Sequence, residues 1–266
     1  MNVVLAVAVA AVVIAAQLAH GQAPSRPPRA TTSAKDVAPM VLIPAGPFTA
    51  GINRAKLLPL LHRLGEPLVS FYESELPEAT RTLPDYYIDR HEVTNERYDR
   101  YLRDEEHRRQ SRYAGFSTFN RPQQPVVGIG WEDANRYCRW AGKRLPTEFE
   151  WEKAARGTDG RIWPWGNEPD DKKYNGRTQG MRAPIDVGSI PAGDSPYGVS
   201  DMAGNVWEMT SSPWPSAEQP TGHVMKGGSY LNTTADVRTM VRWAAQNERE
   251  GATWLGFRCA MDARPR

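Results

Sequence analysis

From Gly157 to the C-terminus, glycine, proline, tryptophan and asparagine recur so densely that only short strand candidates lie between them. Such a stretch folds as loops wrapped over a small core rather than as repeated helices. The first half reads differently. Ala134, Tyr137, Cys138 and Ala141 recur at i, i+3, i+4 and i+7 and predict a helix with one apolar face, and Gly142 stands where a left-handed C-terminal cap is needed. Just after Pro146, Thr147 and Glu150 fit a reciprocal capping box, with Phe149, Trp151 and Ala154 available for burial. Thr94 can cap a third helix whose apolar face is Tyr98, Tyr101 and Leu102. Strands are expected at Met40 to Pro44, after Gly46-Pro47-Phe48, and at Tyr86 to Val93. No solenoid period is present, so the class is α+β.

The N-terminus bounds the compartment. Val3 to Ala16 is an uncharged apolar run followed by the small-residue stretch Ala19 to Ala23, the pattern of a signal peptide over residues 1–23 without the usual early positive charge; an uncleaved anchor is the alternative. The run is shorter than the ~20 apolar residues a spanning helix needs, so no membrane span is expected once the leader is cut. Residues 24–38, rich in Pro, Ser, Thr and Ala, read as a disordered tether, and residues 39–266 as the folded domain. Within it, 53–82 reads as a surface insertion, because Pro59 interrupts the only helical pattern there. Export makes the domain periplasmic or secreted.

In an oxidising compartment the only two cysteines, Cys138 and Cys259, allow one intramolecular pairing. In the chain-entropy picture such a bridge would stabilise the fold by about 4 kcal/mol. Two separate buried thiols are the other reading. Thirty-three basic and 31 acidic side chains are too balanced to suggest nucleic acid or an anionic membrane as partner. His91 and His107 lack partners at metal-ligand spacing and read as ordinary core or surface residues. The nine tryptophans suit a loop-rich interior that needs large side chains to fill it.

Six strings occur in order: Tyr87-Ile88-Asp89-Arg90-His91-Glu92-Val93-Thr94-Asn95, Trp140-Ala141-Gly142-Lys143-Arg144-Leu145-Pro146-Thr147-Glu148, Pro164-Trp165-Gly166-Asn167, Gly204-Asn205-Val206-Trp207-Glu208, Lys226-Gly227-Gly228-Ser229 and Leu255-Gly256-Phe257-Arg258-Cys259. Together they resemble the formylglycine-generating enzyme, or sulfatase-modifying factor, family over roughly Met40 to Asp262. The resemblance implies a compact, loop-rich, C-type-lectin-like domain with little regular secondary structure, a disulfide between Cys138 and Cys259, and bound calcium. It places calcium on Asp201, Gly204, Val206 and Glu208, a set also readable as two carboxylates around a Gly turn with backbone carbonyls completing an oxygen cage. A tight turn with solvent-facing acids is the plainer reading. A second family calcium site is not expected, because the loop after Asn175 is shorter than the pattern requires.

Active members of this family oxidise a substrate cysteine with copper and oxygen, using two cysteines shortly after the KGGS string. Here Asn232 and Val237 stand at those positions, and neither supplies the soft thiolate that copper(I) requires. The iron-dependent sulfoxide synthases of the family add a helical bundle with histidine ligands, for which this chain has no room. Exported single-domain relatives, including proteins of pyoverdine maturation, match the organisation best. Around the expected pocket, Ser229, Tyr230, Asn232, Arg242 and Trp243 mix hydrogen-bonding, cationic and aromatic groups suited to a polar ligand or peptide; a core Trp243 and a structurally paired Arg242 are the plainer readings. The functional expectation is a binding or maturation factor for a secreted peptide or envelope partner. The alternatives are an oxidoreductase acting on a peptide or siderophore precursor without a thiol, and a lectin-like structural or adhesion module.

Overall fold

The pleated segments are short because glycine and proline cut them, and they assemble into two small sheets and a ribbon in a computed structural model that describes residues 30–32, 35–105, 110–215, 222–245 and 249–263. The predicted leader and most of the tether lie outside the described residues. One sheet runs β1 (Ala30–Thr32), β2 (Pro39–Ile43), β5 (Tyr86–Asp89), β10 (Ala260–Asp262), all antiparallel. The second runs β8 (Trp243–Ala244), β7 (His223–Lys226), β6 (Trp207–Pro213), β9 (Leu255–Gly256), with β6 and β9 parallel. β3 (Gly46–Ala50) and β4 (Ala79–Leu83) form the ribbon. Strand β5 stops at Asp89, earlier than the expected Val93.

Helices α2 (Asn95–Asp104), α3 (Trp131–Trp140) and α4 (Glu148–Arg156) form where the patterns place them. Thr94 caps α2, and both halves of the Thr147 and Glu150 capping box are made at α4. Beyond α3, Gly142 is left-handed at φ 73° and the Lys143 amide bonds back to the Cys138 carbonyl at 2.7 Å, closing the turn. Tyr98, Tyr101, Tyr137 and Cys138 pack with Met209, Met225, Phe257 and Cys259 in one cluster between α2, α3 and the second sheet. Cys138 and Cys259 are joined there, 121 residues apart, with Cα atoms 5.7 Å apart.

Two boundaries need correction. Residues 53–82 are not a surface insertion. Asn53 caps helix α1 (Arg54–Arg63), which runs through Pro59 because Leu57, Leu60 and Leu61 bury one face against Trp163, Val237 and Met240. That burial outweighs the ~3 kcal/mol penalty of an interior proline. The tether also ends sooner than expected. Residues 30–32 pair with β2, and Asp36 is 1% exposed, accepting from Arg97 at 2.8 Å, Lys143 at 2.9 Å and the Tyr137 hydroxyl at 3.1 Å. Asp89 bonds the same Lys143 at 2.7 Å and Arg97 at 2.9 Å, so two carboxylates and two cations form a neutral buried quartet.

Candidate functional site

Strand β7 delivers the chain to Gly227 and Gly228, whose φ values of 96° and 73° lie where side chains are disfavoured. A Cβ on Gly228 would meet the Val237 Cγ1 at 2.6 Å. This turn throws residues 229–242 across the end of the second sheet. Asn232 ties the loop together: its Oδ1 accepts from the Ser229 amide at 3.0 Å, the Ser229 hydroxyl at 2.9 Å and the Trp207 indole at 2.9 Å, and its amide donates to Asp236 at 3.2 Å. Val237 is fully buried among Leu57, Leu61 and Trp163. One position of the expected thiol pair is thus a saturated structural amide, and the other is core.

The remaining pocket candidates divide by exposure. Ser229 and Tyr230 are buried; the Tyr230 hydroxyl meets Thr253 at 3.1 Å, and burial raises its pKa. Trp243 is half-buried and stacks on Trp207 with centroids 5.7 Å apart. Arg242 lies 3.0 Å from Glu148 and over the Trp214 ring at 5.2 Å. A visiting group therefore meets Arg242, Trp243 and the exposed Leu231, while Ser229, Tyr230 and Asn232 hold the loop from behind. Glu148, Trp207, Trp214 and Thr253 were missed by sequence reasoning; only the strings carrying Glu148 and Trp207 signalled them.

The supposed insertion braces this loop. The Tyr72 hydroxyl donates to Asp236 at 3.1 Å, Ser74 to the Arg242 carbonyl at 3.2 Å, and Arg238 makes a two-pronged pair with Glu75 at 2.8 and 2.9 Å. Burial pushes Glu75 up to about 7 against the pull of Arg238. Lys226 is also fully buried, 3.3 Å from Glu152; burial lowers its pKa while Glu152 opposes the shift.

The acidic loop forms a separate centre. Asp201, at φ 59°, accepts from the Gly188 amide at 2.6 Å, and burial pushes its carboxyl up to about 6. Glu92, wholly buried, is held well above the carboxylate range by burial and then by the Asp201 charge; its Oε2 has no hydrogen-bond partner. Glu208 is spoken for. Arg258 grips both its oxygens at 2.6 and 2.7 Å, and the Trp151 indole donates at 2.8 Å. Arg258 also donates to the carbonyls of Asp89, Arg90 and Ser200.

Ionised together, Glu92, Asp201 and Glu208 would carry two more negative charges than the Arg258 guanidinium supplies, and burial with this mutual repulsion holds Glu92 well above the carboxylate range. A divalent cation fits that excess, and oxygen donors are what calcium takes. Asp201 and Glu92 are the carboxylates with spare capacity, since the Asn205 amide donates to Glu92 Oε1 at 3.0 Å but Oε2 has no partner, whereas Glu208 is engaged by Arg258. No group of three or more His, Cys, Asp or Glu side chains has metal-site geometry among the described residues, so backbone carbonyls such as those of Gly204 and Val206 would have to complete a shell. The ion would supply charge neutralisation and loop rigidity.

This fold, with a helix-to-strand disulfide and a loop crossing the end of a mixed sheet, defines a C-type-lectin-like domain of low regular structure. Residues 26–263 match the model of the sulfatase-modifying factor enzyme 1-like domain, and the chain belongs to that family. It is 40% identical over 154 residues to inactive C-alpha-formylglycine-generating enzyme 2 of Bos taurus, covering 52% of this chain and 50% of that protein. It is 38% identical over 177 residues to the formylglycine-generating enzyme of the same organism, covering 56% and 47%. The chain thus matches about half the length of these relatives. Among solved structures, PvdO from Pseudomonas aeruginosa superposes with a TM-score of 0.70 at 26% identity, over 90% of this chain and all of PvdO. CarF, at 17% identity and a TM-score of 0.60, shares the fold.

Proposed function

We propose that this protein is an exported sulfatase-modifying-factor-like protein that makes no formylglycine by copper and cysteine, and that it acts as a binding or maturation factor for a secreted peptide or envelope partner. The observation that carries this reading is the fate of every thiol. Asn232 and Val237 stand at the two metal-binding positions, and the only two cysteines are bonded to each other in the core. Copper(I) has no thiolate left. Similarity to a relative named as inactive supports the same reading. The half-buried Trp243 and the cation of Arg242 offer an apolar and a charged contact side by side, a combination suited to a peptide.

Calcium at the acidic loop belongs to the same proposal, with Asp201 and Glu92 as carboxylate donors and carbonyls of the Gly204 to Val206 turn beside them; the support is the unpartnered Glu92 Oε2 beside a second carboxyl whose ionisation is likewise opposed until a cation compensates it. Its role is structural. Metal analysis of the purified oxidised protein, coupled to oxygen uptake with a cysteine-bearing peptide, tests the reading. Calcium alone, with no uptake, is expected. Stoichiometric copper or iron with peptide-dependent oxygen uptake would refute it in favour of an oxidoreductase.

A further inference from the structure

Helix α2 carries acids and arginines at spacings that ordinarily neutralise one another. Glu96 with Arg100 and Asp99 with Arg103 are both i, i+4 pairs in the favourable order, acid first. Neither ion pair forms. Gln123 donates to Glu96 at 2.6 Å, and Asp99 lines a different recess, beside Asn95 and Gln110. Arg100 and Arg103 make no hydrogen bond or ion pair among the described residues, and both turn to a concave surface beside the N-terminal arm.

That recess has a volume of 360 Å³ and is lined by Lys35, Arg100, Arg103, Asp104 and Trp140. Lys35 is held there because its neighbour Asp36 is locked into the buried quartet, and its ammonium stands 5.7 Å from the Trp140 ring centroid. Among the described lining residues the one acid, Asp104, is committed, since the Trp140 indole donates to it at 2.6 Å. Three cations against one engaged carboxylate repel one another across a small concavity. Arginine keeps its charge at any physiological pH and forks onto oxyanions, so this repulsion persists until an anion enters. A second recess of 370 Å³ shares Arg100 and continues past the arm to Arg97 and His91, where Asp36 and Glu96 also line it and balance the charge.

The geometry points to a binding site for a compact multivalent anion, a phosphate ester or polycarboxylate, in the recess between residue 35 and helix α2. The volume lies at the small end of ligand sites and suits a solute better than a polymer. The site lies apart from the loop of residues 229–242 and does not depend on the proposed function.

Isothermal titration of the full oxidised chain with pyrophosphate and with citrate, at low and at physiological salt, tests this. One-to-one binding of at least one probe is expected, and which probe binds identifies the class. Arg100→Gln with Arg103→Gln should weaken it at least about tenfold, because two charge-assisted hydrogen bonds are lost. Lys35→Gln should weaken it several-fold. The charge-matched control Arg54→Gln with Arg63→Gln, on exposed arginines of α1, should leave affinity unchanged. Both arginine pairs should melt within a few degrees of the parent, since all four side chains are polar and peripheral. No saturable binding of either probe, an equal loss in the control pair, or binding only to heparin oligosaccharides or anionic vesicles would overturn the proposal.

Discussion

Asp36→Asn probes the N-terminal arm most sharply. In the parent, Asp36 and Asp89 balance Arg97 and Lys143, and both Lys143 and Asp36 have fully buried side chains. Asparagine keeps the shape but leaves the quartet with one uncompensated positive charge in the interior. Breaking a buried pair by removing one partner costs about 3 to 5 kcal/mol. At roughly 2 to 4 °C per kcal/mol for a domain of this size, the melting temperature should fall by roughly 6 to 20 °C. Adding Lys143→Met restores one acid to one base and should recover most of the loss, since an apolar replacement of a buried pair is often neutral. Acidity gives an independent readout. Burial opposes ionisation of Asp36, but Lys143 and Arg97 override it and hold the carboxyl well below the usual range. With the folded pKa depressed, its stabilisation is present above the unfolded value of about 3.9 and is lost as pH falls. The Asn variant should therefore lose less stability than the parent on acidification below about pH 4. Urea denaturation across that range measures both effects. A penalty under about 1 kcal/mol, or no recovery in the double variant, would refute the argument.

The other expectations are simpler. Under reducing conditions the Cys138 to Cys259 bridge should open with a loss of up to about 5 kcal/mol, the loop-closure value for its 121-residue span; alkylation of both thiols without reductant would contradict the bridge. Glu75→Ala should destabilise the protein by about 3 to 5 kcal/mol and loosen residues 229–242, seen as faster amide exchange there, because Arg238 is left buried and unpaired. Calcium titration should raise the melting temperature and a chelator should lower it, with the response abolished in Asp201→Ala; no calorimetric binding would remove the ion from the acidic loop. Burial, with Arg258 and Arg90 adding to it, lowers His91 to about 4. As the unfolded imidazole gains its proton first, stability should fall from about pH 6.5 towards pH 4, and His91→Gln should flatten that slope.

Much of the fold was legible because it rests on local chemistry. The Thr147 capping box, the Gly142 turn and the inward face of Cys138 each depend on residues within one or two turns, and each is present. The errors share the opposite cause. Pro59 argues locally against a helix, and it is outweighed by a cluster that includes Trp163, Val237 and Met240, more than a hundred residues away. Asp36 sits in a Pro-Ser-Thr stretch of disordered composition, and its three partners come from α2, from α3 and from just beyond α3. The string around Glu208 likewise gives no sign of Arg258, which lies fifty residues on and holds both its oxygens. At the pocket, sequence named the loop and the absence of thiols. It did not separate Asn232, Ser229 and Tyr230, which hold the loop from within, from Arg242 and Trp243, which reach the surface.

The central claim is that this domain keeps the family's fold without its copper and cysteine chemistry. The direct measurement is incubation of the copper-supplied, oxidised protein with a cysteine-bearing sulfatase peptide in air, followed by mass spectrometry for the aldehyde. No conversion above a protein-free control is predicted; enzyme-dependent formation of formylglycine would contradict the account.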